Sequence, residues 1–511
     1  MSGPETAAKT VKERAEEALR DDYLRQAVRF TTDRLRSARL QAAQDQGNWE
    51  AWRERGRQIR SHTIAHLDYY LHRFAENARA NGAHVHFAES AEEAVRIVLA
   101  IAERKGARMV AKSKSMVTEE LHLNRALEDI GVKPVETDLG EYIVQLAGET
   151  PSHIIIPSIH KNRRQTADLL SKEAGEELPT DTPSLTAFVR RRMREVFLAA
   201  DIGMTGCNFA IAETGSIVVF ENEGNARMVS TLPKTQITLM GMERIIPTWA
   251  DLEVMATLLP RSATGQRLTV YMSGISGPRR RGDGDGPEEL HIVIVDNGRS
   301  LQLGDPEFQE LLNCIRCGAC LNVCPVYRHI GGHAYGSTYS GPIGAVLKPA
   351  FKKNVAEWDD VADASSLCGA CAEACPVKIP LHDMLVSLRR RKVEAGRAKR
   401  PEALAMKAYA AVMGGSGRLR GALRLGRLAL KPLARDGVIR ARIGPLAGWT
   451  RHRVFPAPAG EPFRERWANL RRELEREPAS MDPAVRRRLE EALRKRKRNA
   501  ETEEGGERHD G

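Results

Sequence analysis

The chain has 511 residues and a net charge of +11, with 42% hydrophobic and 28% charged residues. These proportions are typical of a folded, water-soluble chain, and the length suffices for two to four domains with a buried core. Residues 1–22 are charged throughout, and no stretch approaches the roughly 18 apolar residues of a membrane span. The sequence therefore predicts neither an export signal nor a membrane span, and we expect a cytoplasmic protein in which thiols stay reduced.

The first 300 residues divide into two regions with different patterns of apolar residues. Residues 1–80 carry apolar side chains at spacings of three and four among strong helix formers, which predicts an N-terminal helical region. From 81 to 300, short β-rich runs alternate with amphipathic helices, which predicts an α/β domain with a mainly parallel sheet covered on both faces. HIIIPS, at 153–158, is one of the predicted strands. The second half of this domain has more consecutive strands, so we expect the sheet to be mixed.

Two loops of the α/β domain are candidates for binding a small organic acid. Lys112 and Lys114 follow a predicted strand and precede a helix, where cations and backbone amides can face an anion. Glu213 lies in AETGS between two strands, where it can supply a carboxylate beside hydroxyl groups. The simpler interpretations are an exposed strand end for the lysines and a plain hairpin turn for Glu213.

Seven of the eight cysteines lie in two short runs. The first run, from Cys314 to Pro325, has the spacing C-x2-C-x2-C-x3-C-P, which in bacterial-type ferredoxins binds an iron–sulfur cluster and sends its last cysteine to a second cluster. Applied here, the crossed pattern gives the first cluster four ligands, Cys314, Cys317, Cys320 and Cys375. The second cluster takes three, Cys324, Cys368 and Cys371.

The second run is one cysteine short. Ser365 stands where a complete motif would carry its first cysteine. An oxygen ligand from Ser365 or Ser366, a water molecule, a partner's side chain or a labile corner iron are the alternatives that the sequence leaves open. The other interpretations of the two runs are structural zinc, which usually takes separated Cys-x-x-Cys pairs, and disulfides, which suit small secreted domains.

The rest of the chain divides near residue 390. Residues 301–390 are predicted to form a helical, ferredoxin-like domain with two clusters. Residues 391–511 form a basic, helical C-terminal region whose last residues, ETEEGGERHDG, are expected to be disordered. The basic runs, such as 389–392 and 494–498, can attract nucleic acid, but aromatic residues make up only 5% of the chain and are not interleaved with them. Solvated helix faces are the simpler interpretation, and an iron–sulfur nucleic-acid-binding protein is kept as an alternative.

With these motifs placed, the chain resembles the lactate utilization protein B family over nearly its whole length. The resemblance rests on AKSKSM, PSIHK, DIGMTGCNFAIAETGSI, NCIRCGACLNVCPVY, YGSTYSGPIGAVLKP, SSLCGACAEACPVKIPL and FPAPAGEPFRERW. It implies an α/β domain similar to the CoA-transferase and ribose-phosphate isomerase class, followed by a helical domain with two [4Fe-4S] clusters. It also implies that three cysteine ligands at the second cluster are the family's own pattern.

The resemblance further implies an electron-transfer subunit that takes part in oxidising L-lactate to pyruvate. The implied partners are two companion proteins, a cysteine-rich subunit and a second subunit with the same α/β domain. No dinucleotide-binding motif of the GxGxxG type is apparent, so the chain is not expected to carry out a hydride transfer alone. The alternative from the enzyme class is a catalytic subunit that binds an organic acid in the α/β domain or at an open iron.

Overall fold

The computed structural model describes residues 9–352, 354, 360–442, 444, 447–450 and 453–476, together with positions 484, 487, 488, 490, 491 and 494. The chain divides into two compact units, Met1–Arg397 and Ala398–Gly511. The tail predicted to be disordered, 501–511, lies outside the described residues.

The first unit begins with four helices. They are α1 (Val11–Ala18), α2 (Asp22–Gln46), α3 (Trp49–Ala65) and α4 (Leu67–Ala80). Thr10 and Glu13 form a reciprocal capping box at the start of α1, and the Asp21 carboxylate accepts the Leu24 amide at the start of α2. The helices bury their apolar faces, and arginines on α2 and α3 are buried with them.

Strands and helices alternate from His84 to Val295. The strands are β1 (His84–Ala88), β2 (Met109–Lys112), β3 (Lys133–Glu136), β4 (Ile202–Thr205), β5 (Phe209–Ile211), β6 (Ser216–Glu221), β7 (Thr235–Gly241), β8 (Ile245–Ile246), β9 (Tyr271–Ile275) and β10 (Glu289–Val295). The helices are α5 (Ala91–Arg104), α6 (Met116–Glu120), α7 (Leu123–Asp129), α8 (Leu139–Leu146), α9 (Arg163–Ala174), α10 (Thr182–Ala199), α11 (Asn225–Thr231) and α12 (Trp249–Ala263).

Six of these strands form a parallel sheet in the order β1-β10-β7-β4-β2-β3, and every neighbouring pair is parallel. The register pairs His84 with His291 and Ile237 with Met204. All seven residues of β7 are buried, as expected for a central strand with helices on both faces. The prediction of a mixed α/β region with a parallel sheet is confirmed.

The consecutive strands of the second half do not join the parallel sheet. They form a separate four-stranded sheet in the order β8-β5-β6-β9, in which β5 and β6 are an antiparallel hairpin and β5 pairs with β8 in parallel. Only β7 and β10 of that half enter the main sheet. The mixed strand pairing therefore belongs to a second, separate sheet. Its β5–β6 hairpin and the cysteine runs contribute side chains to the same hydrophobic core.

The predicted strand at 153–158 is wrong, because the chain turns there instead. The ring nitrogen Nδ1 of His153 accepts the amides of Ile155 and Ile156, at 3.0 and 3.2 Å, and the Ser152 amide donates to the Pro157 carbonyl. These local bonds bend the backbone and satisfy the donors that a strand would give to a neighbour. The three isoleucines favour a strand by composition, but these local hydrogen bonds decide the conformation.

The cysteine runs belong to the same compact unit. Their part of the chain contains helices of 4 to 14 residues, which are α13 (Ala319–Val323), α14 (Tyr327–Ile330), α15 (Gly341–Ala350), α16 (Ala370–Ala374) and α17 (Leu381–Glu394). The two short helices that carry cysteines, α13 and α16, pack against each other, and α13 also packs on α2.

The second unit contains two longer helices, a small sheet and a final described helix. Its elements are α18 (Arg400–Met413), α19 (Ser416–Leu430), β11 (Ala434–Arg435), β12 (Val438–Ile439), α20 (Ala447–Thr450), β13 (Phe455–Pro456) and α21 (Phe463–Arg476). The three strands are antiparallel, in the order β11-β12-β13. Helices α18 and α19 bury none of their side chains fully.

Candidate metal centre

The two cysteine runs adopt the same backbone conformation. In the first run Arg316 and Gly318 have positive φ values of 60° and 73°, and in the second run Leu367 and Gly369 have φ values of 55° and 79°. A short helix follows in each case, and Cys324 and Cys375 both end it in extended conformation. The repeated left-handed residues curl each run, so that cysteines three positions apart face the same side.

Four cysteines line a single small cavity. They are Cys314, Cys317 and Cys320 of the first run and Cys375 of the second. The remaining wall is largely apolar and includes Ile154, Ile343 and Leu381. Cys317, Cys320 and Cys375 are buried, so this group, called the closed site below, is enclosed by the protein core.

The other three cysteines form a second group, called the open site below. Cys324 and Cys371 are buried whereas Cys368 is exposed. Burial and then the Cys324 thiol raise the pKa of Cys371 to about 11, and Cys368 acts in the same direction. The first run thus contributes its last cysteine to the open site, and the second run contributes its last cysteine to the closed site.

Ser365 stands at the sequence position where a complete motif would carry a fourth cysteine. Its Oγ accepts the amide of Leu367 at 3.2 Å, just as the Sγ of Cys314 accepts the amide of Arg316 at 3.4 Å in the closed site. The hydroxyl therefore makes the same backbone hydrogen bond as the Cys314 thiol at the equivalent position.

The buried thiols fit a cationic iron–sulfur group. Burial, followed by the neighbouring thiols, raises the pKa of Cys320 well above its ordinary value, because clustered thiolates repel one another in an apolar environment. All eight cysteines are free thiols, so none of them is held in a disulfide bond. The buried hydroxyl of Tyr335 has no hydrogen-bond partner within the described residues, and Cys324 is its principal acidic neighbour. A bound cluster would satisfy both the thiolates and this donor.

Arginines from the N-terminal helices hold the backbone around the closed site. Arg53 donates to the carbonyls of Cys375 and Ala372, at 3.0 and 3.3 Å, and Arg39 donates to the Ala374 carbonyl at 3.0 Å. These carbonyls lie at the C-terminal end of α16, where positive charge is favourable. Arg39 and Arg53 are both buried, so water screens their positive charges only weakly.

A further arginine fixes the start of the first run. Arg60, 1% exposed, donates to the carbonyls of Leu312, Asn313 and Ile245 at 2.8, 3.3 and 2.7 Å. Its guanidinium therefore joins α3, β8 and the chain just before Cys314. Burial lowers the pKa of Arg60 to about 10, so the side chain stays charged at neutral pH.

His153 and Gly318 pack together behind the closed site. Because Gly318 has positive φ and a Cβ there would lie 3.3 Å from the His153 ring, a larger residue would be strained. His153 Nε2 lies 3.1 Å from the Asn322 amide oxygen, and burial lowers the pKa of His153 to about 3. The imidazole is therefore neutral, with Nε2–H as donor and Nδ1 as acceptor.

A larger cavity, of about 360 Å3, lies beside the closed site. It receives Lys114, one of the predicted organic-acid residues, together with Arg244, Arg316 and Cys207. Ile154 and Arg316 line both cavities, so a shared wall separates them.

The other two predicted organic-acid residues do not line this cavity. Lys112 is fully buried and pairs with Glu136 at 2.5 Å and with Asn124. Glu213 is exposed in the β5–β6 hairpin, where it accepts the Trp249 amide at 3.2 Å. The structure brings only Lys114 of these three residues to the cavity.

Several residues around the two cavities carried no signal in the sequence. Arg39, Arg53 and Arg60 lie more than 250 positions from the backbone atoms that they bind in the cysteine runs. In the sequence they are ordinary helix arginines, and only the tertiary fold shows that they are buried. Cys207 also lines the larger cavity, and burial raises the pKa of its thiol to about 12.

Three family profiles match successive parts of the chain. The LUD domain matches residues 71–295, a 4Fe-4S dicluster domain matches residues 310–379, and the C-terminal part of lactate utilisation protein B matches residues 389–472. The chain is 51% identical over 459 residues to lactate utilization protein B of Shouchella clausii, covering 90% of this chain and 96% of that one. It is 50% identical over 464 residues to the protein of the same name from Bacillus licheniformis, covering 90% and 97%.

Among solved structures, a DUF162 family protein from Deinococcus radiodurans matches 45% of this chain and 98% of its own, with 16% identity and a TM-score of 0.25. That score is too low to bear on the fold. In the part of the chain that the structure describes, no helix combines the length and apolar character needed to cross a membrane.

Proposed function

Because the chain belongs to the lactate utilization protein B family, we propose that it is the iron–sulfur electron-transfer subunit of a system that oxidises L-lactate to pyruvate. The proposal takes lactate utilisation from the family and iron–sulfur binding from the 4Fe-4S dicluster domain at 310–379. The direction of the reaction and the role in electron transfer are our inference.

The observation that carries the proposal is the cavity lined by Cys314, Cys317, Cys320 and Cys375. Four thiols around one small apolar cavity are the ligand set of a [4Fe-4S] cluster. We assign a second cluster to Cys324, Cys368 and Cys371, with three cysteine ligands. We assign the Oγ of Ser365 to the remaining iron, because it accepts the Leu367 amide as the Sγ of Cys314 accepts the Arg316 amide.

The two bound clusters would accept the two electrons of a hydroxy-acid oxidation one at a time. The protein would contribute burial and charge. Arg39 and Arg53 place positive charge around the closed site, which favours an added electron there. The exposed Cys368 brings the open site to the protein surface, where a redox partner can approach.

We further propose that the chain works with two companion subunits, a cysteine-rich protein and a second protein with the same α/β domain. Support comes from the family resemblance and from the exposure of the open site. A cluster that exchanges electrons with a partner must lie near the surface, whereas one that only relays them within the chain need not.

The test is purification without oxygen, followed by iron analysis and spectroscopy. We expect about eight irons per chain, less any iron lost from the open site, and cluster signals on reduction. Cys375→Ser should remove the signal of the closed site, and Cys324→Ser should remove that of the open site. Cys207→Ser is the matched control, because this cysteine belongs to neither group, and its iron content should be unchanged.

L-lactate should reduce the clusters when the companion proteins are present. Protein that contains zinc, or no metal, after anaerobic preparation would refute the iron–sulfur role. Fully loaded clusters that stay oxidised with lactate and both companions would refute the electron-transfer role while leaving the ligand assignment intact.

A further inference from the structure

The larger cavity lies at the edge of the parallel sheet where ligands of open α/β folds are usually held. Ser113, Asp138 and Gly206 line it, and they follow the carboxyl ends of β2, β3 and β4. The chain passes from β2 to β3 on one side and then to β4 on the other, so the strand order reverses at β2. A crevice at such a switch point is the expected binding place for a small molecule.

Within the described residues, no ion pair joins the cations that line the cavity to its acidic lining residues. Lys114, Arg244 and Arg316 lie on its wall. The acidic lining residues have local partners. Asp138 caps α8 through the Gly140 and Glu141 amides, Glu221 accepts the Ala226 and Arg227 amides, and Glu223 accepts the Asn222 amide.

Arg316 is the most unusual of the three cations. It is 8% exposed, and its Nε and Nη1 atoms have no hydrogen-bond partner in the described part of the chain. Its Nη2 lies 3.4 Å from Glu243, a carboxylate that Arg299 already binds at 2.7 Å. Leaving two guanidinium donors unsatisfied in a buried position is costly, and an anionic oxygen is the natural partner for each of them.

Lys114 can also bind an anion in the cavity. Its Nζ donates to the Ile155 carbonyl at 2.9 Å and lies 3.6 Å from Glu141. Burial raises the pKa of Glu141 well above its ordinary value, and neither oxygen of that carboxyl group has a hydrogen-bond partner among the described residues. Because Glu141 favours its neutral form, it compensates the charge of Lys114 only weakly.

We propose that this cavity is a binding site for a small organic carboxylate, held by Lys114, Arg244 and Arg316 beside the closed cysteine site. The proposed function assigns no substrate site to this chain, so the inference goes beyond it. The identity of the acid as a three-carbon 2-hydroxy or 2-oxo acid rests on the proposed function. The carboxylate chemistry rests on the cavity alone.

The size and walls of the cavity suit such a ligand. Its 360 Å3 falls within the range of about 300 to 1,000 Å3 that is usual for small-molecule sites. Met116, Ile155 and Phe220 give an apolar wall for a methyl group, and the Asn208 and Ser115 side chains add polar groups for a hydroxyl or keto oxygen. A three-carbon acid would leave room for water molecules.

The test is calorimetric titration of the anaerobically prepared, full-length protein with L-lactate, with pyruvate and with inorganic phosphate. We expect lactate or pyruvate to bind at a single site, each competing with the other, and to raise the thermal unfolding midpoint. Phosphate should bind more weakly than either acid. Absence of binding by both acids, or tighter binding by phosphate, would overturn the proposal.

Two variants connect binding to the cavity. Lys114→Met should raise the dissociation constant roughly tenfold or more, as expected for the loss of a charge-assisted hydrogen bond. Lys105→Met is the matched control, because Lys105 is a similarly accessible lysine paired with Glu289 outside the cavity, and it should leave affinity unchanged. Ala263→Leu keeps every charge but fills part of the cavity, and it should also weaken binding.

The outcomes separate this inference from the proposed function. Iron content is measured on the same samples, so a protein with both clusters that binds neither acid refutes only the carboxylate site. A protein that binds an acid but holds no iron refutes only the electron-transfer role. Equal affinity in Lys114→Met, Ala263→Leu and the unaltered protein would show that the acid binds outside this cavity and would refute the proposed site.

Discussion

The closed and open sites are built from the same backbone turn but differ in their surroundings. Both have two left-handed residues, a short helix and a final extended cysteine. The closed site has four thiols inside the core, and arginines from distant helices bind the backbone around Cys375. The open site has three thiols, and that of Cys368 is exposed. The local sequence thus specifies the turn, whereas the tertiary environment determines how each site can be used.

The largest expected difference between the two sites concerns the stability of the fold. Cys320→Ser should remove the closed cluster and lower the thermal unfolding midpoint strongly, by roughly 10 °C or more, because it leaves buried thiols without their cation inside the core. Cys368→Ser, at the exposed position, should remove the open cluster with a small change in midpoint. Anaerobic thermal unfolding with iron analysis makes the comparison. Equal midpoints in the two variants would contradict the distinction.

The second prediction concerns the addition of a fourth thiolate to the open site. Ser365→Cys should supply a fourth thiolate and protect the open cluster against losing an iron, because residue 365 holds the same position in its run as Cys314 and makes the same backbone hydrogen bond. Ser366→Cys is the matched control, since Ser366 is exposed and adjacent. Iron loss under mild oxidation, followed by electron paramagnetic resonance, measures the effect. Protection by the control and not by Ser365→Cys would show that another atom completes the site.

The third prediction concerns charge near the closed site. Arg53→Met should lower the reduction potential of the closed cluster by on the order of tens of millivolts, because a buried positive charge that favours the reduced form is lost. Arg55→Met is the control on the same helix, because Arg55 is exposed and pairs with Asp251. Redox titration of both variants checks the direction. An unchanged potential in Arg53→Met would show that hydrogen bonding, not charge, is the contribution of Arg53.

The smallest expected effect is a dependence of stability on pH. His153 has a pKa of about 3 in the folded protein, against about 6.5 when unfolded, so the unfolded chain binds an extra proton between these values. Lowering the pH from 7 to 5 should therefore reduce the free energy of unfolding through this residue by up to about 2 kcal/mol.

His153→Gln should lose that part of the pH dependence. His72→Gln should keep it, because His72 is largely exposed. Anaerobic urea unfolding of the three proteins at pH 7 and pH 5 is the measurement. The same slope in His153→Gln and in the unaltered protein would mean that the imidazole is not held neutral.

The sequence predicted those features that depend on local spacing. The alternation of β-rich runs and amphipathic helices indicated the parallel sheet, and the spacing of the cysteines indicated the iron–sulfur domain that the family profile confirms. The separation of β5, β6, β8 and β9 into a second sheet was not predictable, because strand composition does not state which strand is the neighbour. The turn at His153 was missed because a histidine that bonds nearby amides has no periodic pattern.

The larger cavity was only partly predictable. Lys114 was identified from its position after a strand, and the crevice at the carboxyl ends of β2 and β4 explains why that position is favoured. Lys112, two residues earlier, is an equally plausible candidate in sequence, but it still belongs to β2, and its side chain is buried in an ion pair with Glu136. In the sequence, Arg316 is one of the two residues between Cys314 and Cys317. Its place in the wall shared by the two cavities depends on contacts across the whole unit.

The contacts of Arg39 and Arg53 also set an order for biosynthesis. Both arginines lie in helices made early by the ribosome, whereas the carbonyls that they bind, around Cys375, emerge more than 300 residues later. The wall of the closed site can therefore be completed only after nearly the whole first unit has been translated. Until Cys375 has been synthesised, the closed site lacks one of its four thiols as well as this part of its wall.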